Sequence, residues 1–330
     1  MKNIVLPLLL SLVLINCSNN DGTSPNNETN GTPTVKNNET YTVVFEENIK
    51  YAEGLSHNSI NSSNSSIMPL YLDIYYPNNT MENRPLFMFI HGGGFSGGSK
   101  QQEQIIAMAN FYASRGWVFA SIDYRLKNDI GTVPQKWIDY SSFVPSGDAA
   151  QFLAMYPAHR DAKAALRWIM ANKDMYKINP EYVTVGGGSA GAVTAITLGV
   201  SNLEDYTNEI SVTQDPTLSS THMNQTYEIH TIIDFWGSKA AVDALEVIYN
   251  HQRFDNNDPA LLIAHGTEDP TVLYSNALDL KAIYETNQVP LAYYPLEGKG
   301  HGPWEATVNG KRLEQLAFDF IVEQQSLIVE

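Results

Sequence analysis

A chain of 330 residues is long enough for one large α/β domain with appendages, and a hydrophobic content of 43% can fill a sizeable core. A formal net charge of −16 and the lack of any basic run argue against a nucleic-acid partner. The single cysteine, Cys17, excludes an intramolecular disulfide, and without a cysteine cluster or a His-Glu-x-x-His motif no metal is expected.

Lys2 precedes an apolar run, 4–15, of signal-peptide length and too short to span a bilayer comfortably. The run ends in Leu14-Ile15-Asn16-Cys17. This resembles the bacterial lipoprotein signal, in which the cysteine is lipidated and becomes the new N-terminus; Asn16 stands where Gly, Ala or Ser is usual. Residues 1–17 are read as a signal peptide ending at the lipidation site Cys17, with ordinary secretion as the alternative. The expected location is the periplasm or the outer membrane, with membrane contact only through the lipid anchor. Residues 18–40 are Asn, Thr, Ser, Gly and Pro with almost no apolar content, so a disordered tether is expected there and a catalytic domain over 41–330.

Short apolar runs follow at 42–45, 70–76, 86–90, 117–122, 182–185, 229–235 and 260–264, with a weaker one at 291–294. Runs without alternation suit strands buried on both faces. A Ser/Asn turn region is expected at 56–66. Helical spacing appears at 101–115, 159–172, 190–198, 272–286 and 312–324. The alternation predicts an α/β fold with a mostly parallel central sheet and helices on both faces. Three segments break it: 127–156 is aromatic and long, 202–228 is loop-like, and 239–258 is partly helical. Insertions of this kind wall a pocket or act as a lid.

Two glycine motifs carry the chemistry. In Gly187-Gly188-Ser189-Ala190-Gly191, a serine lies between a strand and a small-residue helix, the setting of a nucleophile elbow. Ser189 alone could be an incidental turn residue. His91-Gly92-Gly93-Gly94-Phe95 directly follows a buried strand, and its backbone N–H groups suit an oxyanion hole. Gly93 and Gly94 are the expected donors, with Ala190, and His91 is expected to be structural. The 92–98 stretch lacks the Gly-Lys-Ser/Thr ending that a phosphate loop needs. A serine hydroxyl needs a base, and the base an orienting acid. Among eight histidines, His301 lies in a glycine-rich loop after a strand and before the last helix. Asp269, in His265-Gly266-Thr267-Glu268-Asp269-Pro270, follows the 260–264 strand; Glu268 and Asp234 are the competing acids. The order Ser189, Asp269, His301 is that of α/β-hydrolases.

From about residue 70 onward the chain resembles a carboxylesterase of the α/β-hydrolase superfamily, similar to hormone-sensitive-lipase-like and type B carboxylesterases. The resemblance rests on His91-Gly92-Gly93-Gly94-Phe95, Asp123-Tyr124-Arg125-Leu126, Tyr156-Pro157-Ala158, Asp161 with Ala165-Leu166-Arg167-Trp168, Gly188-Ser189-Ala190-Gly191 and the Asp269 motif. It implies ester hydrolysis through an acyl-enzyme with no cofactor, carried by Ser189, Asp269, His301, Gly93, Gly94 and Ala190, with Asp123, Arg125 and Asp161 structural. Gly188 departs from it, standing where these families commonly carry an acidic residue. Phe95, Trp236 and Trp304 are expected to bind substrate, a small or medium acyl or aryl ester such as an acetyl or feruloyl group on polysaccharide. A serine peptidase or amidase of the same fold, and an inactive binding module, are the other readings.

Overall fold

The computed structural model describes residues 31–330, so the expected signal segment and Cys17 lie outside the described residues. In chain order the elements begin with β1 (Thr34–Val35), β2 (Val43–His57), β3 (Ser65–Pro77), β4 (Arg84–Ile90), α1 (Glu103–Ala113) and β5 (Val118–Ile122). Next come α2 (Gln135–Ser141), α3 (Ala149–Ala171), α4 (Lys173–Tyr176), β6 (Ile178–Gly188) and α5 (Ala190–Val200). After the 201–230 connection follow β7 (Thr231–Phe235), α6 (Ala240–Tyr249), β8 (Ala260–Gly266), α7 (Ser275–Asn287) and β9 (Leu291–Leu296). A small hairpin, β10 (Thr307–Val308) with β11 (Lys311–Arg312), leads into α8 (Leu313–Gln324) and β12 (Ile328–Val329).

Eight strands form one sheet in the order β2-β3-β5-β4-β6-β7-β8-β9. β2, β3 and β5 pair antiparallel, and every pairing from β5 to β9 is parallel. β4, β5, β7 and β8 are buried along their whole length, which is why they read as unbroken apolar runs. One core cluster packs the helices α3 and α5 on one side of the sheet; another packs α1 and α8 on the other. The parallel strands all point their C-terminal ends to the same edge, where an α/β sheet forms its ligand crevice.

Two expectations are corrected. Residues 33–40 belong to the folded unit and not to a tether: Val35 is buried, β1 pairs in parallel with β12, and the Lys36 N–H donates to the Arg115 carbonyl at 2.8 Å. Backbone pairing and one buried valine hold this segment, and composition averaged over a polar stretch does not register either. The 56–66 turn region lies where expected: β2 and β3 stay paired out to His57 and Ser65, and residues 58–64 turn between them. The helix expected from 159 begins at Ala149 and contains Pro157. The proline ring interrupts one helical hydrogen bond, yet it packs against Gly131, where an added Cβ would lie 2.6 Å from it.

α3 also carries a buried cationic face. Arg160, Lys163 and Arg167 recur at helical spacing and are all buried. They hold the 201–230 connection: Arg160 pairs with Asp215 at 3.3 Å, Lys163 Nζ donates to the Asn202 carbonyl at 2.5 Å, and Arg167 Nε donates to the Thr221 carbonyl at 2.8 Å. Beside them, Asp161 accepts from Arg125 Nη2 at 2.6 Å and Nε at 2.9 Å, and from the Arg125 backbone N–H at 2.9 Å. Arg125 Nη1 also reaches the Leu55 carbonyl at 3.1 Å, so one guanidinium ties β2, the loop after β5 and α3 together. Burial pushes the Lys163 ammonium down to about 7.

Candidate active site

Four strand ends supply the site. β6 ends at Gly188, and Ser189 makes the turn into α5 with φ 55° and ψ −122°. A non-glycine residue at positive φ stores strain, and here the turn lifts the hydroxyl clear of the backbone. The Ser189 N–H donates to the Phe235 carbonyl at 2.9 Å, which pins the turn to the end of β7. The turn is also tight across its base: a Cβ on Gly187 would lie 2.2 Å from the Gly191 carbonyl carbon.

The loop after β9 carries His301, and the loop after β8 carries Asp269. The structure brings both to Ser189. Ser189 Oγ lies 2.9 Å from His301 Nε2, and His301 Nδ1 lies 2.7 Å from Asp269 Oδ2. Asp269 is buried, and its Oδ1 accepts the N–H groups of Thr271 at 2.8 Å and Val272 at 2.9 Å. With the carboxylate fixed, the imidazole is held with Nδ1–H toward Asp269 and the Nε2 lone pair toward the hydroxyl, the tautomer needed for proton removal. His265 stands behind this pair, fully buried, with Nε2 3.4 Å from Asp269 Oδ2 and 2.8 Å from the Val272 carbonyl. Burial lowers its basicity, and its ring packs on the acid.

The competing acids lie elsewhere. Glu268 is exposed, and its backbone N–H donates to the Lys299 carbonyl. Asp234 is wholly buried on β7, where its Oδ1 accepts the Gly237 N–H at 2.6 Å. Burial pushes that carboxyl up to about 7.

The glycine loop follows β4. Gly93 has φ 115°, and a Cβ there would sit 2.1 Å from the Gly97 carbonyl oxygen, so only glycine fits. No bond to another described residue engages the N–H groups of Gly93, Gly94 or Ala190, and all three residues line the cavities at Ser189. Free N–H groups on the residues lining these cavities can receive an oxyanion. His91 is buried under this loop, with Nδ1 2.6 Å from the Gly92 carbonyl and its ring stacked on Tyr124 at 4.3 Å. It does not face Ser189's cavities.

Ser189 borders two cavities. One, of about 340 Å³, is walled by Trp236, Trp304, His301 and Gly188. The other, of about 460 Å³, is walled by Phe95, Phe152, Met155, Val193 and Val272. The three aromatics expected at substrate are thus divided, Phe95 on one side and the two tryptophans on the other. Asp148, Gln151 and Phe152, from the 127–156 insertion, wall the larger cavity. Thr271 borders both cavities, and Gln102 the smaller; neither lies in a motif, so only the fold reveals them. Among the described residues no group of three His, Cys, Asp or Glu side chains is placed to hold a metal ion.

Comparison with known proteins follows the same lines. The BD-FAE family matches residues 72–144 and 149–253, more than half of the chain. Esterase LipC of Mycobacterium tuberculosis is 25% identical over 243 residues, covering 66% of this chain and 53% of that protein. Carboxylesterase 1C of Rattus norvegicus is 30% identical over 158 residues, covering 47% of this chain and 26% of that protein. The chain therefore spans about half, or less, of the length of these curated relatives. A thermophilic esterase of Thermogutta terrifontis, solved with butyrate bound, aligns with a TM-score of 0.57 at 21% identity, over 78% of this chain and 90% of that one. A truncated carbohydrate esterase from gut microbiota aligns with a TM-score of 0.58 at 20% identity, over 88% and 99%.

Proposed function

The chain belongs to the BD-FAE family, and from that premise we propose that it hydrolyses carboxylic esters through an acyl-enzyme formed on Ser189. Its fold is the α/β-hydrolase fold. The observation that carries the reading is the unbroken relay from Ser189 Oγ through His301 to Asp269, at 2.9 and 2.7 Å. His301 Nε2 takes the hydroxyl proton as Oγ bonds to the ester carbonyl carbon, and Asp269 stabilises the imidazolium. The carbonyl oxygen becomes an oxyanion held by the N–H groups of Gly93, Gly94 and Ala190. The intermediate collapses, the C–O bond to the alcohol breaks, and His301 returns the proton to the leaving oxygen. Water then attacks the acyl-enzyme with His301 again as base, releasing the acid and restoring Ser189.

Substrates of small or medium acyl or aryl type fit cavities of this size, and the likeness to a carbohydrate esterase supports esters carried on sugar. The test is Ser189→Ala against a panel of nitrophenyl esters and peptide anilides. Ester turnover in the parent chain, lost by several orders of magnitude in the variant, is expected. Faster cleavage of the anilides would replace the reading with an amidase, and failure of a fluorophosphonate to label Ser189 would leave the inactive binding module. Export and lipid anchoring at Cys17 are proposed on the sequence signal alone; Cys17→Ser should release the protein from membranes.

A further inference from the structure

α3 reaches a second cavity, well away from Ser189. Met155 walls the larger cavity at the serine, and Arg167 lies just over three turns further along the same helix. At 5.4 Å per turn that is about 18 Å down the axis. There Arg167 lines a separate cavity of about 240 Å³, whose other walls come from the 201–230 connection.

The three buried cations of α3 differ in what holds them. Arg160 has Asp215 at 3.3 Å, and Lys163 has the Asn202 carbonyl at 2.5 Å. Arg167 is likewise buried, but among the described residues its side chain makes one hydrogen bond, from Nε to the Thr221 carbonyl at 2.8 Å. It pairs with no carboxylate there, and its Nη2 is shut off from solvent without a partner. Tyr227 Oη, on the same cavity, is also shut off from solvent and unpartnered among the described residues. A buried guanidinium without a counter-charge is costly. Its unused Nη1–Nη2 edge is the fork that grips a carboxylate through two parallel bonds. Burial pushes the guanidinium down from its ordinary value, with the Arg160 charge adding to the effect. Burial pushes the Tyr227 phenol up, so it stays a neutral donor.

We propose that this cavity binds a small organic monocarboxylate, its anion held by Arg167 and Tyr227 and its apolar body covering Leu203 and Met223. The rest of the lining sets the ligand's character. Leu203 and Met223 are large apolar side chains left exposed at the cavity, so an aryl or alkyl body buries surface that an inorganic anion would leave wet. Glu204, exposed, is the other charged side chain on the lining. One cation set against one carboxylate accommodates a single negative charge and disfavours a dianion. The net charge of −16 acts in the same direction. Ser189 takes no part in this site, so binding here is independent of the ester chemistry.

Isothermal titration of the purified full-length chain with benzoate, benzamide and inorganic phosphate tests the site. Benzoate should bind about tenfold more tightly than either of the others, since benzamide lacks the charge and phosphate the apolar body. Arg167→Met should weaken benzoate about tenfold and Tyr227→Phe about threefold. Met223→Glu sets a carboxylate at the mouth and should also weaken benzoate about tenfold. That position is exposed, so this variant keeps the test decisive should Arg167→Met fail to fold. Equal benzoate affinity in the parent and in the folded variants puts the ligand elsewhere and overturns the site. Absence of benzoate binding up to about 10 mM overturns it outright. Benzamide binding as tightly as benzoate rejects the anion, and phosphate binding more tightly than benzoate rejects the apolar body.

Discussion

At the C-terminal edge of the sheet, the candidate nucleophile and two aromatic wall residues lie in strained backbone. Phe95, Ser189 and Trp236 have φ of 54°, 55° and 47°. Along α3 the polar groups sit in regular helix, and their cost is burial instead: Arg160, Lys163 and Arg167 lie under the 201–230 connection, with Asp161 buried on Arg125. A strained residue costs about 1–3 kcal/mol and persists only where its surroundings over-determine it. The buried ion pairs supply part of that rigidity near the site, since Arg125 and α3 also place the wall residues Phe152 and Met155. The two regions therefore differ in what a mutation should do: the edge should lose turnover with little loss of stability, and the frame the reverse.

The sharpest break of that contrast would come at Asp269. Asp269→Asn should cut kcat by about 10³–10⁴-fold, because the amide no longer holds the imidazole in the acceptor tautomer, while the thermal midpoint changes little. A matching fall in the midpoint would place the acid in the frame as well. Asp161→Ala comes next: it strands the buried Arg125 and should cost about 3–5 kcal/mol in urea unfolding. Its fluorophosphonate labelling rate per folded molecule should stay near that of the parent. Ser189→Gly is smaller and opposite in sign. It abolishes turnover and should raise stability by about 0.5–1 kcal/mol, since glycine accepts the positive φ without strain.

The smallest effect is a slope. Lys163 titrates at about 7 when folded and at 10.5 in its ordinary state, so between these values the unfolded chain binds the extra proton. Its unfavourable contribution is full below pH 7 and is relieved as pH rises toward 10.5. The melting temperature should therefore climb between pH 7 and 9 in the parent more than in Lys163→Met. Equal slopes in the two proteins would show that the ammonium is solvated or fully paired.

The site was legible because its requirements are local. Gly93 needs a positive φ and Ser189 a tight strand-to-helix turn, and both leave glycines at fixed offsets in the chain. The order of strands pointed to Asp269 and His301, each on a loop after a strand, and the structure brings both to Ser189. The frame was harder. Arg160, Lys163 and Arg167 look like a solvated helix face until the 201–230 connection is laid over them, and that segment carries no periodic pattern. The early start of α3 was hidden by Pro157, which is tolerated only because Gly131 makes room for its ring.

The chain alone determined the parallel sheet, the elbow and the glycine loop, because hydrophobic period and backbone sterics act over a few residues. Only the tertiary structure decided that residues 33–40 join the fold, that the aromatics separate into two cavities, and that a missing side chain at Gly188 admits the Trp304 indole. Those outcomes depend on which surfaces meet across distances of a hundred residues or more along the chain, and packing of that kind leaves no mark in the local pattern.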